Sequence, residues 1–368
     1  MTEQQPVDPT PRPIPVFISG ILQRSGTNFL QDLLLLHADC CTGGIFEDYL
    51  IPSSPLLMQF LSTLTESWDP NWFTEPRSAI RRKLGHALGR ALLKFFCDDR
   101  QVARYLVMKT PSTLHLQSVF ELFPTARVLV IVRDGRDVVE SGIRTFGWNW
   151  ECAVRQWRDS AARILTSLAH PSVGSRTLLI RYEDLLADTP REMTRIIEFL
   201  GLEPARYDFT ATDRLAVRGS CEFGRRTGCN VGWEPVPRTA VFAPVGRHRV
   251  WTARKQQRFA WLAGEASHQL GYAVEPTAAA GTLYALLDWS QDLRWAVRAG
   301  SRRFRFLVRR ALTLSEPSFT TGLSHYYERP LSRGERSPSL LPDRPSLNGG
   351  AAVAKDNQAP SPQSLHQR

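Results

Sequence analysis

The sequence predicts an α/β protein with a P-loop-like parallel sheet flanked by helices, and three observations lead to that prediction. Short apolar runs rich in Val, Leu and Ile alternate with longer segments of helical spacing. The runs are apolar at consecutive positions, which is typical of parallel strands buried on both faces. The first run ends at a glycine-containing loop that leads into a helix, the order that opens an α/β unit.

Each predicted strand is a continuous apolar run that ends at a glycine or a charged residue. The four predicted strands are Pro15 to Gly20, Tyr105 to Lys109, Ala126 to Asp134, and Arg176 to Asp184. Helical spacing predicts a helix in NFLQDLLLLH and others near 78–97, 112–122, 135–145, 149–169, 188–200 and 252–270. Residues 202–250 are rich in Gly, Pro and Arg, so loops are predicted there.

Segments outside this alternation differ in composition. Residues 1–14 contain four prolines and are predicted to be a disordered leader. The Ser-, Pro-, Gly- and Arg-rich residues 314–368 are predicted to be a disordered tail.

Residues 281–313 are predicted to form a long amphipathic helix. Its arginines at 294, 298, 302, 305 and 309 form one stripe opposite Leu286, Trp289, Leu293, Phe304 and Leu307. Such a stripe most often forms a solvated face, and its alternative is contact with a membrane surface or an acidic partner.

Length, charge and composition exclude several classes of protein. The chain has 368 residues, of which 42% are hydrophobic and 22% charged, and this excludes global disorder. Its net charge of +10, from 46 basic and 36 acidic residues, favours anionic ligands or surfaces. No run of about 18 apolar residues is present, so no transmembrane helix is expected. No nucleic-acid partner is predicted.

The N-terminal residues and the cysteines predict a cytoplasmic protein without a metal site. MTEQQPVDPTPRP lacks the charged-then-apolar order of a signal peptide. The six cysteines form no CxxC pair, so a zinc site is not expected, and free thiols in a reducing compartment are favoured. A disulfide between Cys221 and Cys229 is the alternative for an exported protein.

The loop from Gly20 to Asn28, GILQRSGTN, follows the first predicted strand and is the first candidate anion site. Backbone N–H groups and the positive end of the next helix converge there. Arg24, Ser25 and Thr27 add side-chain donors. It is not a Walker A loop, because five residues separate Gly20 from Gly26 and no lysine follows. Alone, the loop is equally compatible with an ordinary strand-to-helix turn.

Two further motifs follow later strands. VRDGRDVVES places Arg133 at the end of the third strand and Ser141 on the next helix, where both can reach one phosphate, while Asp134 can cap that helix. RYEDL places Tyr182 after the fourth strand, at the carboxyl edge where nucleotide bases bind.

The combination of RSGTNFL, VRDGRDVVES and RYEDLLADTPREMTRIIEFLGL, in this order, resembles the sulfotransferases that use 3′-phosphoadenosine 5′-phosphosulfate (PAPS). The resemblance covers about 15–275, which is predicted to be the sulfotransferase domain. It implies PAPS as co-substrate, with Arg24, Ser25, Gly26, Thr27 and Asn28 around the 5′-phosphosulfate. It further implies that Arg133 and Ser141 hold the 3′-phosphate and that Tyr182 contacts the adenine. PVGRHRVW resembles the late basic loop of the family, with Arg247 as its candidate residue.

The resemblance also implies the catalytic groups. VMKTP supplies Lys109 at the family's lysine position. Cytosolic members have a histidine base two residues later, where this chain has Pro111. GGIFEDYLIP instead resembles the branch of tyrosylprotein and many bacterial sulfotransferases, which implies Glu47 as general base. Asp48 and His115 are the other candidates.

The implied reaction is in-line transfer of a sulfuryl group from PAPS to a hydroxyl, with Arg24 and Lys109 stabilising the developing charge and no metal required. The resemblance does not assign the acceptor, and small molecules, carbohydrates, lipids and peptides are all candidates. Residues 49–75 and 205–245 are predicted to form loops around it. Two alternatives are a P-loop nucleotide kinase and a non-catalytic anion-binding or membrane-associated protein of the same fold.

Overall fold

A computed structural model describes residues 13–97, 103–220, 234–238, 242–274 and 282–312. Its centre is a sheet of five parallel strands in the order β2-β3-β1-β4-β5. The strands are β1 (Ile14–Gly20), β2 (Cys40–Thr42), β3 (Tyr105–Thr110), β4 (Arg127–Val132) and β5 (Thr177–Arg181). The predicted parallel α/β sheet is therefore confirmed.

Helices cover the sheet, and a helix follows each of the five strands along the chain. They are α1 (Thr27–Leu34), α2 (Leu50–Glu66), α3 (Arg77–Phe96), α4 (Val119–Leu122), α5 (Gly135–Phe146), α6 (Trp150–Ala169), α7 (Pro171–Gly174), α8 (Tyr182–Ala187), α9 (Thr189–Leu200), α10 (Ala253–Gln269) and α11 (Thr282–Leu312). No helix within the described ranges is both long and apolar enough to cross a membrane.

Both faces of the sheet are buried, which explains why the strands are apolar at consecutive positions. Phe17 of β1 packs in a cluster with α5, α6 and α10, whereas its neighbours Val16 and Ile18 pack with α1 and α9. The same alternation divides Val128 and Leu129 of β4 between the two clusters. Adjacent strand residues point to opposite faces, so each strand needs apolar side chains throughout.

The register brings the carboxyl ends of the three central strands to one edge. Ser19 of β1 pairs with Thr110 of β3, and Gly20 of β1 pairs with Ile131 of β4. The loops after β1, β3 and β4 therefore start side by side, and the chain segments that carry the candidate motifs meet there.

The structure corrects the sequence prediction at several elements. The short β2 was not predicted, and residues 50–66, expected to be part of a loop, form α2. Only Val119–Leu122 of the helix predicted at 112–122 is helical. The fourth predicted strand ends at Arg181, and Tyr182 begins α8. β1 begins at Ile14, one residue inside the predicted leader.

Several predictions concern residues outside the described ranges. These are the leader up to residue 12, the tail at 314–368, and the pair Cys221 and Cys229.

Candidate active site

The loop after β1 turns tightly and fixes the start of α1. Gly26 caps α1 with a φ of +99°, in the left-handed region that favours glycine. A Cβ there would also lie 2.4 Å from Cδ2 of Tyr182, so the close approach of this ring requires glycine as well. The buried Ser25 hydroxyl donates a hydrogen bond to the Leu22 carbonyl oxygen at 2.6 Å, which closes the turn. The loop thus presents the N-terminus of α1 at the carboxyl edge of the sheet.

Two arginines from distant parts of the chain converge on Ser141. Ser141 lies on α5 and is fully buried. Its Oγ accepts hydrogen bonds from Nε of Arg24 at 3.1 Å and from Nη1 of Arg247 at 2.9 Å. Arg24 also donates to the carbonyl oxygen of Gly219 at 2.5 Å. Two guanidinium groups on one hydroxyl concentrate positive charge at a single buried point, as an anion site requires.

Arg133 lies beside this point, at the end of β4, and is only 4% exposed. Its guanidinium donates to the carbonyl oxygens of Arg24, at 2.8 Å, and of Pro244. It also stacks on Tyr182, with 4.8 Å between Cζ and the ring centroid. The Arg133 Nε is buried without a hydrogen-bond partner. A buried charged donor without an acceptor is costly, and an added anion would satisfy it.

The segment that carries Arg247 is held to α5 by Asp137. This carboxylate accepts from the backbone N–H groups of Gly246, at 2.7 Å, and His248, at 3.1 Å, and from Nδ1 of His248 at 2.7 Å. Burial raises the pKa of Asp137, but the hydrogen bonds from His248 and Gly246 outweigh it and lower the pKa overall. Trp251 adds a bond from its indole Nε1 to Glu140 at 2.8 Å.

Sequence reasoning did not single out Asp137 or Glu140. It identified Asp134 as the cap of α5, and the Asp134 side chain does accept from the Arg136 N–H at 2.9 Å. The signal for Asp137 was its spacing, since a residue four positions before Ser141 shares its helix face.

Lys109 is the next-to-last residue of β3, which lies on the other side of β1 from β4. Its Nζ donates to Oδ1 of Asn28 at 2.5 Å and lies 3.3 Å from the ring centroid of Phe46. Burial lowers the pKa of Lys109 to about 8, against the opposing effect of the Glu47 and Asp48 carboxylates. The ammonium group is therefore cationic at neutral pH, and it lies close enough to Glu47 for that carboxylate to raise its pKa.

Glu47 lies in the loop between β2 and α2. Its Oε2 accepts a hydrogen bond from the Tyr49 hydroxyl at 2.9 Å. Tyr49 adopts a φ of +47°, a strained value for a residue with a side chain. The loop thus holds the Glu47 carboxylate near enough to Lys109 for its charge to raise the lysine pKa.

Asp48 anchors this loop to the sheet. Its Oδ1 accepts from the Leu50 N–H at 2.8 Å and from the Thr110 hydroxyl at 3.1 Å, whereas its buried Oδ2 has no hydrogen-bond partner. Burial raises the pKa of Asp48 to about 6, although these hydrogen bonds oppose the shift.

The sequence prediction placed His115 on a helix, and the structure shows that this is wrong. It occupies a turn before α4 with a φ of +61°. Burial, with the nearby Arg163 charge, lowers its pKa.

The structure brings the predicted site residues together in one connected set at the carboxyl edge. Arg24, Arg133, Ser141 and Arg247 are linked by direct hydrogen bonds, and Lys109 contacts the N-terminus of α1 through Asn28. Thr27 is the first residue of α1. Tyr182 lies against Gly26 and Arg133, and its contact with adenine stays a prediction. In the described part of the chain no three His, Cys, Asp or Glu side chains are grouped as metal ligands.

Fold and site together define an α/β protein with a buried cluster of arginines around Ser141 at the carboxyl edge of its sheet. Residues 15–206 match the profile of the sulfotransferase family, which covers more than half of the chain. The chain belongs to this family. The match ends before Arg247, so the contact of Arg247 with Ser141 is known here from the structure.

Curated relatives agree with this membership. A protein-tyrosine sulfotransferase of Drosophila melanogaster is 26% identical over 197 residues, which are 51% of this chain and 38% of that protein. Protein-tyrosine sulfotransferase 2 of Gallus gallus is 29% identical over 196 residues, 51% of each chain. The chain thus spans about half or less of these relatives.

Among solved structures, the sulfotransferase domain of the Synechococcus PCC 7002 olefin synthase is 21% identical, with a TM-score of 0.44. The alignment covers 75% of this chain and all of that domain.

Proposed function

We propose that this chain is a sulfotransferase that moves a sulfuryl group from PAPS to a hydroxyl acceptor. The observation that carries the proposal is the convergence of Arg24 and Arg247 on Ser141, with Arg133 beside them. Family membership supplies the reaction class, and this convergence supplies a place for a phosphate on the side of the loop away from Lys109.

The residues present fit PAPS. The buried Arg133 Nε lacks an acceptor, which a phosphate oxygen would provide. Arg133 and Ser141 would hold the 3′-phosphate, with Arg247 completing the group. Residues 24–28 and the N-terminus of α1 would hold the 5′-phosphosulfate. A 3′-phosphate distinguishes PAPS from ATP, so the arginine group would also supply selectivity between them.

Lys109 and Glu47 have complementary roles in the proposed reaction. Lys109, cationic at neutral pH, would stabilise the charge that develops on the bridging and sulfuryl oxygens. The family resemblance also implied this role for Arg24, but the guanidinium of Arg24 lies at Ser141, where it would add to the group that holds a phosphate. Glu47, held by the Tyr49 hydroxyl, would accept the proton of the acceptor hydroxyl. The leaving group is a phosphate that is stable as an anion, so we expect no metal requirement.

The acceptor is proposed from the relatives' names alone. Two relatives are named protein-tyrosine sulfotransferases, which makes a tyrosine-containing peptide the first acceptor to test. Carbohydrates, phenols and lipids are the comparison classes. A cytoplasmic location stays a prediction from the sequence.

The decisive experiment is incubation of the full chain with ³⁵S-labelled PAPS and a panel of peptides, sugars, phenols and lipids. Label transfer to one class, with release of adenosine 3′,5′-bisphosphate, is the expected result. Tight binding of the bisphosphate without transfer to any acceptor would favour the non-catalytic alternative. Preference for ADP over the bisphosphate, with magnesium-dependent phosphoryl transfer, would favour the kinase and overturn the proposal.

A further inference from the structure

One side of α11 is attached to the domain by acidic residues. Asp288 is fully buried and accepts from Arg254 of α10 at 2.5 Å. Arg258 of α10, only 3% exposed, contacts both Asp288 and Asp292, the latter at 2.6 Å. Arg155 of α6 pairs with Asp292 and lies over the ring of Trp295. This ion-pair cluster fixes the rotation of the first half of α11, so its other faces have defined directions.

The side away from this cluster carries large exposed apolar side chains. Leu286, Trp289, Leu293 and Val297 are 64%, 62%, 52% and 62% exposed. Their spacing of three, four and four residues places them on one face of the helix, which we name the outer stripe. An apolar row of this kind that is exposed to solvent marks an interaction site.

The charges that α11 directs outward are basic. Asp288 and Asp292 are the helix's two acidic residues, and both are used in the ion-pair cluster. Arg294 and Arg298 are exposed along one border of the outer stripe. The helix backbone continues to Leu312, and the sequence adds Arg302, Arg303, Arg305, Arg309 and Arg310, whose side chains lie outside the described part.

We propose that the outer stripe of α11 binds the surface of a membrane that contains anionic lipids. An apolar row bordered by arginines complements such a surface, because the apolar side chains enter the acyl boundary while the guanidinium groups contact lipid phosphates. A second copy of the chain is disfavoured as the occupant, since it would present the same positive charges. The proposal is independent of the sulfotransferase activity.

The test is co-sedimentation of the full-length protein with two kinds of vesicle. One is phosphatidylcholine alone and the other is equal parts phosphatidylcholine and phosphatidylserine. We expect binding to the anionic vesicles that weakens as salt is raised. Arg294→Gln/Arg298→Gln should lower the partition coefficient on the order of tenfold, and Leu293→Ser/Val297→Ser should lower it to a similar degree.

Matched controls lie elsewhere on the surface. Phe60 of α2 is 60% exposed, and the side chain of Arg191 of α9 is 72% exposed. Phe60→Ser and Arg191→Gln should leave vesicle binding unchanged, and circular dichroism with thermal unfolding reports that each variant is folded.

Three results would overturn the proposal. They are equal binding to both kinds of vesicle, equal losses in control and stripe variants, and a lipid-free dimer that the stripe variants dissociate.

Discussion

The two halves of the candidate site lie at the same edge of the sheet but are built differently. In the anion half, Ser141, Arg133 and Arg247 are 0%, 4% and 7% exposed. In the acceptor half, Phe46 above Lys109 is 46% exposed and Glu47 is half-buried. The anion half lies in the core, whereas the acceptor half combines the buried Lys109 of β3 with the less buried loop between β2 and α2. The residues proposed to hold the co-substrate are thus fixed by packing, and Glu47, the proposed base, lies in the more exposed loop.

The way each half is held shows the same contrast. Arg133 and Arg24 donate hydrogen bonds to backbone carbonyl oxygens of other segments. Substituting the side chains of the accepting residues would leave these carbonyl oxygens in place. Glu47 depends on the hydroxyl of Tyr49, in the same loop, and on the attachment of that loop through Asp48. Substitutions in the two halves should therefore affect different measurements.

The largest expected effect is in the acceptor half. Glu47→Gln keeps size and much of the hydrogen bonding but removes the proton acceptor. Turnover should fall about 10²–10⁴-fold, while affinity for adenosine 3′,5′-bisphosphate stays near wild type. Steady-state assays and calorimetry separate the two quantities. Asp48→Asn and His115→Asn are the matched controls, with expected losses of about tenfold or less. Collapse of turnover in His115→Asn, with an intact fold, would move the base assignment to the histidine.

In the anion half, Arg133→Ala should weaken binding of adenosine 3′,5′-bisphosphate by about 1.5–3 kcal/mol, the loss of a charge-assisted contact. Binding of 5′-AMP, which lacks the 3′-phosphate, should barely change. Calorimetric titration of both nucleotides is the measurement, and Arg214→Ala, at an exposed position, is the control. Equal losses for both nucleotides would mean that Arg133 does not contact the 3′-phosphate.

The acceptor half should also set the alkaline limit of activity. The pKa of Lys109 is about 8, so its ammonium group is lost as pH rises above that value. We expect turnover to fall about tenfold for each pH unit above the pKa. Lys109→Arg, which stays charged, should have lower activity but no such decline. An unchanged alkaline limb in this variant would assign the limb to another group.

Asp137→Asn tests whether the anion half depends on the segment that carries Arg247. An amide cannot accept at both of its heavy atoms, so at least one bond from Gly246 or His248 is lost. We expect affinity for adenosine 3′,5′-bisphosphate to fall about five- to tenfold and turnover at saturating PAPS to change little. Asp159→Asn, on the exposed side of α6, is the control. An equal loss of thermal stability and affinity in both variants would argue against a positioning role.

The smallest effect on activity is expected at Asp48, which should instead alter stability. Its folded pKa, about 6, lies above the ordinary value of 3.8. Its protonated form is therefore favoured in the folded state. This contribution is complete below about pH 4 and is lost as pH rises through 6. Relative to wild type, Asp48→Asn should gain free energy of unfolding between pH 4 and 7, by about 1.4 kcal/mol per unit of pKa difference. Urea unfolding at several pH values measures it, and a pH-independent difference would contradict the burial argument.

The sequence predicted the strands of the sheet interior because burial on both faces leaves a continuous apolar run. It did not predict β2, whose three residues are too few to show periodicity. It placed a loop at α2, whose first residues include Pro52 and Pro55. Proline is tolerated in the first turn of a helix, and Pro55 is accommodated inside this one. Residues 112–118, which were predicted to begin a helix, follow Pro111 and are not helical, and residues 114–118 form a turn.

The site shows a similar division. The residues proposed to hold an anion could be singled out because charge and glycine at strand ends have few other uses. The anchoring contacts of Asp137 and Asp48 could not be predicted, because a carboxylate that holds a backbone segment has the same sequence signature as a solvated one. Only the fold shows which backbone N–H groups it accepts from.

The parallel sheet also has a consequence for how the protein acquires its site. The hydrogen bonds of Ser141 to Arg24 and Arg247 span 117 and 106 residues of sequence. No local segment can form any part of this group, and such distant pairings are made late and slowly during folding. The proposed nucleotide affinity therefore requires the completed fold, and a nucleotide bound at this group would stabilise only chains that have finished folding. Added during refolding, adenosine 3′,5′-bisphosphate should act as a pharmacological chaperone, since it selects complete molecules over partly assembled ones.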